Sequence, residues 1–314
     1  MNVDLSHNRM IKRKRLHWWS PRMKLLYTTF PFIIFIFIFS YYPLFGWLYA
    51  FFDYIPGVPF IKQEFVGLYY FKVILTDPYS GFYNSLRNTL ALNMLSILFS
   101  PLPIVFAVLL NELRIKRMSK FIQIVTSVPN FISWILVYAV CFSMFGNEGF
   151  INTLLINLRL IQSPIDVLGN ANAAWFIQTG ISIWKGLGWG AIIYIASMAG
   201  IDRELYDAAD VDGAGRFQKI WHITVPGLMP TYLVLLLLGV SNMLNSGFEQ
   251  YYVFRNPLVS SKLDVLDVFI YMKGIANSQF AFATAVGIMR SIVSVSLLMS
   301  VNALARRIRG SSIV

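Results

Sequence analysis

"ELYDAADVDGAGRFQKIWHITVPGLMP", residues 204–230, is the stretch on which the reading of this chain turns. Glu204, Asp207, Asp210 and Asp212, two adjacent alanines (Ala208 and Ala209), and the glycines Gly213 and Gly215 stand between long apolar runs. Asp202 is placed to cap a short helix over 203–211, with Glu204 in the first turn complementing the helix dipole. Asp212-Gly213 then breaks that helix, because glycine reaches the positive-φ conformation of a tight reversal without a Cβ clash. A second short helix carries Phe217, Ile220 and Trp221, three and four apart and hence on one face. Pro226 and Pro230 end the loop and open the next apolar run, where a first-turn proline costs little. An amphipathic hairpin resting on headgroups fits poorly, since its acids are repelled by an anionic inner leaflet. A protein partner with a basic rim and an apolar cleft fits better.

The surroundings of this loop are those of a membrane protein. Of 314 residues, 57% are hydrophobic and only 13% charged, against about 25% charged in ordinary soluble domains. Six stretches approach or exceed the roughly 20 apolar residues that cross a bilayer: Leu25–Leu48, Thr89–Leu113, Phe121–Phe145, Ala173–Ala199, Gly227–Glu249 and Ala281–Ala305. The expected organisation is all-α. A basic tail at 1–24 precedes a first transmembrane helix at 25–48 and an outer loop with an interfacial segment at 49–86. A five-helix core at 87–305, containing the loop at 200–226, leads to a short tail at 306–314. No strand-like alternation suggests a barrel.

Basic residues orient these spans. The N-terminal tail holds Arg9, Lys12, Arg13, Lys14, Arg15, Arg22 and Lys24, and the same side gains Arg114, Lys116, Arg117, Lys120, Arg203, Arg216, Lys219, Arg306, Arg307 and Arg309. The opposite connections hold only Lys62, Lys72, Arg159, Arg255, Lys262 and Lys273. Lys and Arg collect on the cytoplasmic side, so both termini and the 200–226 loop are expected there. The formal charge of +11 and "KRKR" at 12–15 then read as a topology anchor on anionic lipid rather than a nucleic-acid patch. Cys141, the single cysteine, falls inside a span and reads as a small apolar residue.

Chemistry is hard to find. The chain contains no phosphate-binding G-x-x-x-x-G-K-[ST] loop. "KGLGWG" at 185–190 lies within a span, where small residues more often bring helices together than cradle phosphate. His7, His17 and His222 are scattered, no metal site is expected, and no nucleophile–base pair stands out. Catalysis by this chain alone is not expected.

The loop carries a resemblance. Asp207-Ala208-Ala209, then Asp212-Gly213-Ala214, then nine residues from Gly213 to Ile223-Thr224-Val225-Pro226 resemble the signature loop of membrane-spanning subunits of bacterial ABC importers. Asp207 and Val225 depart mildly from that pattern. "NSLRNTLALN", "PNFISWI" and "FATAVGIMRSIVS" are similar to its carbohydrate-type branch, and "SIWKGLGWGAIIYIASMAGI" looks closest to permeases of oligosaccharide systems named after a lipoprotein-associated locus. The resemblance spans roughly Phe65 to Arg307. It implies a type I importer permease in the bacterial cytoplasmic membrane, paired with a second, related permease. It further implies two ABC ATPase subunits that carry ATP and Mg2+, and an extracytoplasmic solute-binding protein that delivers an oligosaccharide. Residues 204–222 would be the coupling helix pair. Ala208 and Ala209 would allow close approach, while Asp207 and Asp212 pair with or cap partner groups; Glu204 and Ala214 belong to the same coupling set. Gly213 would turn the chain, Phe217 and Ile220 fill the cleft, and Pro226 closes the loop.

Polar residues within spans default to functional hypotheses. Asn242, Asn245 and Glu249, three and four apart, would share a face of the fifth span, and Lys185 and Arg290 would lie at similar depths. Trp184, Trp189 and Tyr251 could offer ring faces to sugar C–H groups. Two cations near a pathway would also suit an acidic oligosaccharide. The bland alternative pairs Lys185 or Arg290 with Glu249 as structural glue. Rival readings are an importer permease for a non-sugar solute, a membrane-embedded sensor that uses the loop as a protein dock, and an ion-coupled secondary transporter, which predicts repeat symmetry and discontinuous spans.

Overall fold

The computed structural model describes residues 21–245 and 247–309. The basic tail expected at 1–24 thus lies outside the described residues up to position 20, as do Ser246 and 310–314. The described residues up to Leu48 and those from Tyr49 onward form separate compact units. In the first, α1 (Pro21–Ile36) runs through a π turn at Phe37–Tyr41 into a 3-10 stretch that starts at Tyr42. This segment is apolar all round rather than amphipathic, which suits a helix whose solvent is lipid.

The second unit opens with a small antiparallel hairpin, β1 (Phe52–Asp53) and β2 (Glu64–Phe65), in which Phe52 faces Phe65. The Gln63 side chain locks its loop by accepting from the Ile55 amide and donating to the Ile55 and Val58 carbonyls. The helix α2 (Tyr69–Thr76) follows. The Tyr70 hydroxyl donates to Asp53 at 2.6 Å. Burial, and then that bond to the charged carboxylate, push the phenol well above its ordinary pKa.

Ten helices follow: α3 (Phe82–Leu98), α4 (Leu102–Glu112), α5 (Lys116–Ser127), α6 (Trp134–Phe145), α7 (Phe150–Asn157), α8 (Ala174–Met198), α9 (Arg203–Val211), α10 (Arg216–Lys219), α11 (Val225–Ser241) and α12 (Phe248–Phe254). Short helices α13 (Ser260–Leu263) and α14 (Leu266–Tyr271) then lead to α15 (Phe280–Arg309). Among the described residues six helical segments are long and apolar enough to cross a membrane. The helix α8 is the hub, packing against α3, α4, α5, α11 and α13. Its lower half joins a core of Ala107, Val108, Ala191, Tyr194, Met198 and Leu228.

Three expected spans differ. The second, expected at Thr89–Leu113, starts at Phe82 and has a turn at 99–101 between α3 and α4. The third, expected as continuous from Phe121 to Phe145, is broken: α5 ends at Ser127, a 3-10 turn covers Val128–Phe131, and α6 begins at Trp134. Pro129 has no N–H to continue the α ladder, and the chain tightens there into the 3-10 turn. The apolar helical segment of spanning length here is Trp134–Asn157. The fifth, expected at Gly227–Glu249, instead runs from Arg216 to Ser241. Its start is continuous because a π turn at Ile220–Thr224 joins α10 to α11. That widened turn accommodates Pro226, which cannot donate to the carbonyl four residues back.

Candidate functional site

The acidic loop is built as its sequence predicts. The Asp202 carboxylate accepts from the Glu204 amide at 3.0 Å and caps α9, a contact that stabilises a helix by about 1 kcal/mol. At the other end Gly213 has φ +75°, and the Ala214 amide donates to the Ala209 carbonyl at 2.8 Å. This six-to-one bond over a left-handed glycine is a Schellman closure, which any residue with a Cβ would strain. The Gln218 side chain accepts from the Gly215 amide at 2.7 Å and starts α10.

Two contacts tie the loop to the bundle and a third ties its two helices together. Arg216 forms an ion pair with Glu112 at the end of α4, N–O 2.9 Å, and also donates to the Glu112 carbonyl. Lys219 pairs with Asp210 at 2.6 Å. The Tyr206 and Thr224 hydroxyls share a hydrogen bond at 2.9 Å. The loop is therefore a fixed projection, not a slack connection.

What it presents is an apolar tip with an acidic border. Glu204, Asp207, Ala208, Asp212 and Gly213 are exposed, and Ala209 and Ala214 are half-buried. Val211 is 89% exposed and Phe217 87%, far more than folding alone explains for side chains of that size. Ile220 departs from expectation, since it packs against the α4–α8–α11 core and is not offered outward. Leu205 and Val211 were missed at the sequence level. Val211 sits next to an acidic turn where no apolar periodicity marks it.

Of the expected pathway residues the structure brings Asn242, Asn245 and Arg290 together, Asn245 donating to Asn242 Oδ1 at 3.5 Å and accepting from Arg290, while Lys185 and Tyr251 are engaged elsewhere. Asn242 terminates α11 by donating from Nδ2 to the Leu238 carbonyl at 3.0 Å, so Asn242, Asn245 and Glu249 do not share a helix face. Side-chain capping competes with helix continuation at such asparagines. Neither cation pairs with Glu249, which is exposed. Arg290 on α15 instead forms an ion pair with Asp267 on α14 and donates to Asn245 Oδ1. Lys185 is buried, donates to the Asn130 carbonyl at 2.8 Å, and lies 5.2 Å from the centre of the Trp134 ring. Trp184 and Trp189 are half-exposed, Trp189 meeting Phe131 edge-on at 5.4 Å. Tyr251 is buried in the core and offers no open ring face.

Gly188 settles the glycine-rich segment. A Cβ there would run into the Thr126 carbonyl and the Ser127 amide, so this glycine brings α8 onto the end of α5, backbone to backbone.

Comparison with known proteins places this architecture. Residues 99–310 match the family described as binding-protein-dependent transport system inner membrane component. Protein LplB of Bacillus subtilis (strain 168) is 40% identical, over 94% of this chain and 93% of its own length. The polygalacturonan/rhamnogalacturonan transport system permease protein YteP of the same organism is 37% identical, over 94% and 92%. Among solved structures, a subunit of a bacterial ABC transporter involved in the import of the acidic polysaccharide alginate superimposes with a TM-score of 0.83. It is 32% identical and covers 92% of this chain and 97% of its own. The same transporter type, in complex with an alginate pentasaccharide-bound periplasmic protein, matches at 31% identity with a TM-score of 0.83, over 95% and 100%. With a family match over two thirds of its length and relatives alike from end to end, this chain belongs to the family of binding-protein-dependent transport system inner membrane components.

Proposed function

We propose that this chain is one of two related permease subunits of an ATP-driven importer, and that its cargo is an acidic oligosaccharide handed over by an extracytoplasmic binding protein. The observation that carries the coupling half is the rigid, acid-bordered projection at 203–219, with Val211 and Phe217 exposed at its tip. A braced loop bearing bare apolar side chains is a docking element for a cleft. The distribution of Lys and Arg puts it on the cytoplasmic side, where two ATPase subunits holding ATP and Mg2+ would engage it. Closure of the ATPase pair would then rock the spans between inward- and outward-facing states.

The cargo half is supported by relatives, two of which are named for polygalacturonan or alginate transport. Lys185 and Arg290 no longer support it, because one is spent on a backbone carbonyl and the other on Asp267.

Co-purification with a candidate second permease and ATPase, followed by ATPase and uptake assays, tests this reading, with Gly213→Pro as the variant. Wild type is expected to assemble and hydrolyse ATP in step with uptake, and the variant to lose that coupling. Uptake driven by an ion gradient with no ATPase present would overturn it.

A further inference from the structure

At the end of the bundle opposite the acidic loop, three segments far apart in sequence converge on one indole. The Lys262 ammonium, on α13, lies 4.5 Å from the centre of the Trp175 ring, and the Arg87 guanidinium, on α3, lies 6.0 Å from it. The geometry is held by hydrogen bonds. The Trp175 Nε1 donates to the Lys262 carbonyl at 3.0 Å, Arg87 donates to Asn84 Oδ1 at 2.7 Å, and Asn84 donates to the Ser261 carbonyl at 3.0 Å. Among the described residues neither Arg87 nor Lys262 forms an ion pair with a carboxylate. The nearby acid, Asp264, is already neutralised by Arg255 at 2.6 Å. The cluster therefore keeps two uncompensated positive charges beside a half-buried aromatic ring.

We infer that Arg87, Lys262 and Trp175 form a subsite for the uronate carboxylate of an acidic oligosaccharide, on the face where cargo arrives; this rests on the oligosaccharide reading above. The ring holds the two cations in place, and the guanidinium and the ammonium supply charge-assisted hydrogen bonds to the carboxylate. A neutral sugar of the same shape loses those ionic contacts. Discrimination thus comes from charge, not from shape. A purely structural pin of the same residues would hold the helix ends together but would not distinguish one sugar from the other.

The test uses the assembled importer in phosphatidylcholine vesicles, which contain no anionic lipid to compete, trapped with ATP and vanadate. Equilibrium binding of trigalacturonate and of its methyl ester is compared for wild type, Arg87→Gln/Lys262→Gln and Arg87→Lys/Lys262→Arg. The glutamine pair is expected to weaken trigalacturonate about ten-fold and to leave the ester unchanged, while the charge-conserving pair keeps wild-type binding. Equal weakening of both sugars, or no change in either, overturns the subsite while the oligosaccharide reading stands. A wild-type complex that assembles and binds neither sugar overturns both.

Discussion

The Lys185 ammonium on α8 donates to the Asn130 carbonyl at 2.8 Å, in the turn where the third apolar segment breaks. Pro129 interrupts the helix, and the lysine satisfies a carbonyl that the interruption leaves without a partner in its own helix. Replacing Lys185 by methionine keeps the stem and strands that carbonyl, at a cost of about 1–3 kcal/mol. The complex should melt earlier in detergent, and preference between charged and neutral sugars should not shift. A change in that preference with unaltered melting would return Lys185 to the transport pathway.

Gly188 provides a sharper structural test, because the chain supplies its own controls. A methyl group at 188 meets the backbone of Thr126 and Ser127, whereas at Gly180 or Gly186 it meets nothing within 4 Å. Gly188→Ala should destabilise by about 1–3 kcal/mol or more and lower the yield of folded protein. The same change at 180 or 186 should be tolerated. Yields of the three variants, measured side by side after membrane extraction, decide the matter.

The loop divides its apolar residues between two tasks. Val211 and Phe217 are exposed, while Ile220 packs into the chain's own core. Val211→Asp and Phe217→Ala should each weaken ATPase capture at least ten-fold, about 1.4 kcal/mol, with the melting temperature of the isolated permease unchanged. Ile220→Asp should lower that melting temperature instead. Pull-down against thermal unfolding separates the two classes.

Arg290 and Asp267 form the ion pair that ties α15 to α14, with Asn245 completing the cluster. Both side chains are mostly buried. Arg290→Met leaves the Asp267 carboxylate without its cation and should cost about 2–4 kcal/mol, whereas pairing it with Asp267→Leu should recover part of that loss. A double-mutant cycle on unfolding measures the coupling, and additive losses would show that the pair contributes nothing.

Much of the loop was legible because its signals are local. The cap at Asp202, the helix over 203–211 and the left-handed turn at Gly213 depend on residues within a few positions of one another, and each appears as expected. The charges in the spans were not legible in this way. Arg290, which the sequence offers as a partner for Glu249, instead meets Asp267 on the short helix α14. Asn242 looked like one rung of a polar helix face, yet its side chain turns back to the Leu238 carbonyl and ends the helix. Short-range pattern fails there because an amide can cap as readily as it can face a pathway.

Sequence alone determined the six apolar segments, the acidic loop between the fourth and fifth, and the family to which they belong. Span length, basic-residue bias and turn chemistry are properties of contiguous residues, so they survive without coordinates. Only the tertiary structure decided which group each of these charges meets: Lys185 the Asn130 carbonyl, Arg290 the Asp267 carboxylate, and Arg87 and Lys262 the Trp175 ring. Those partners lie between 23 and 88 positions apart in the chain, counting Asp267 to Arg290 and Arg87 to Trp175. They are chosen by the cost of burying a charge or carbonyl unmet in apolar surroundings, a cost set by which helices the bundle brings together.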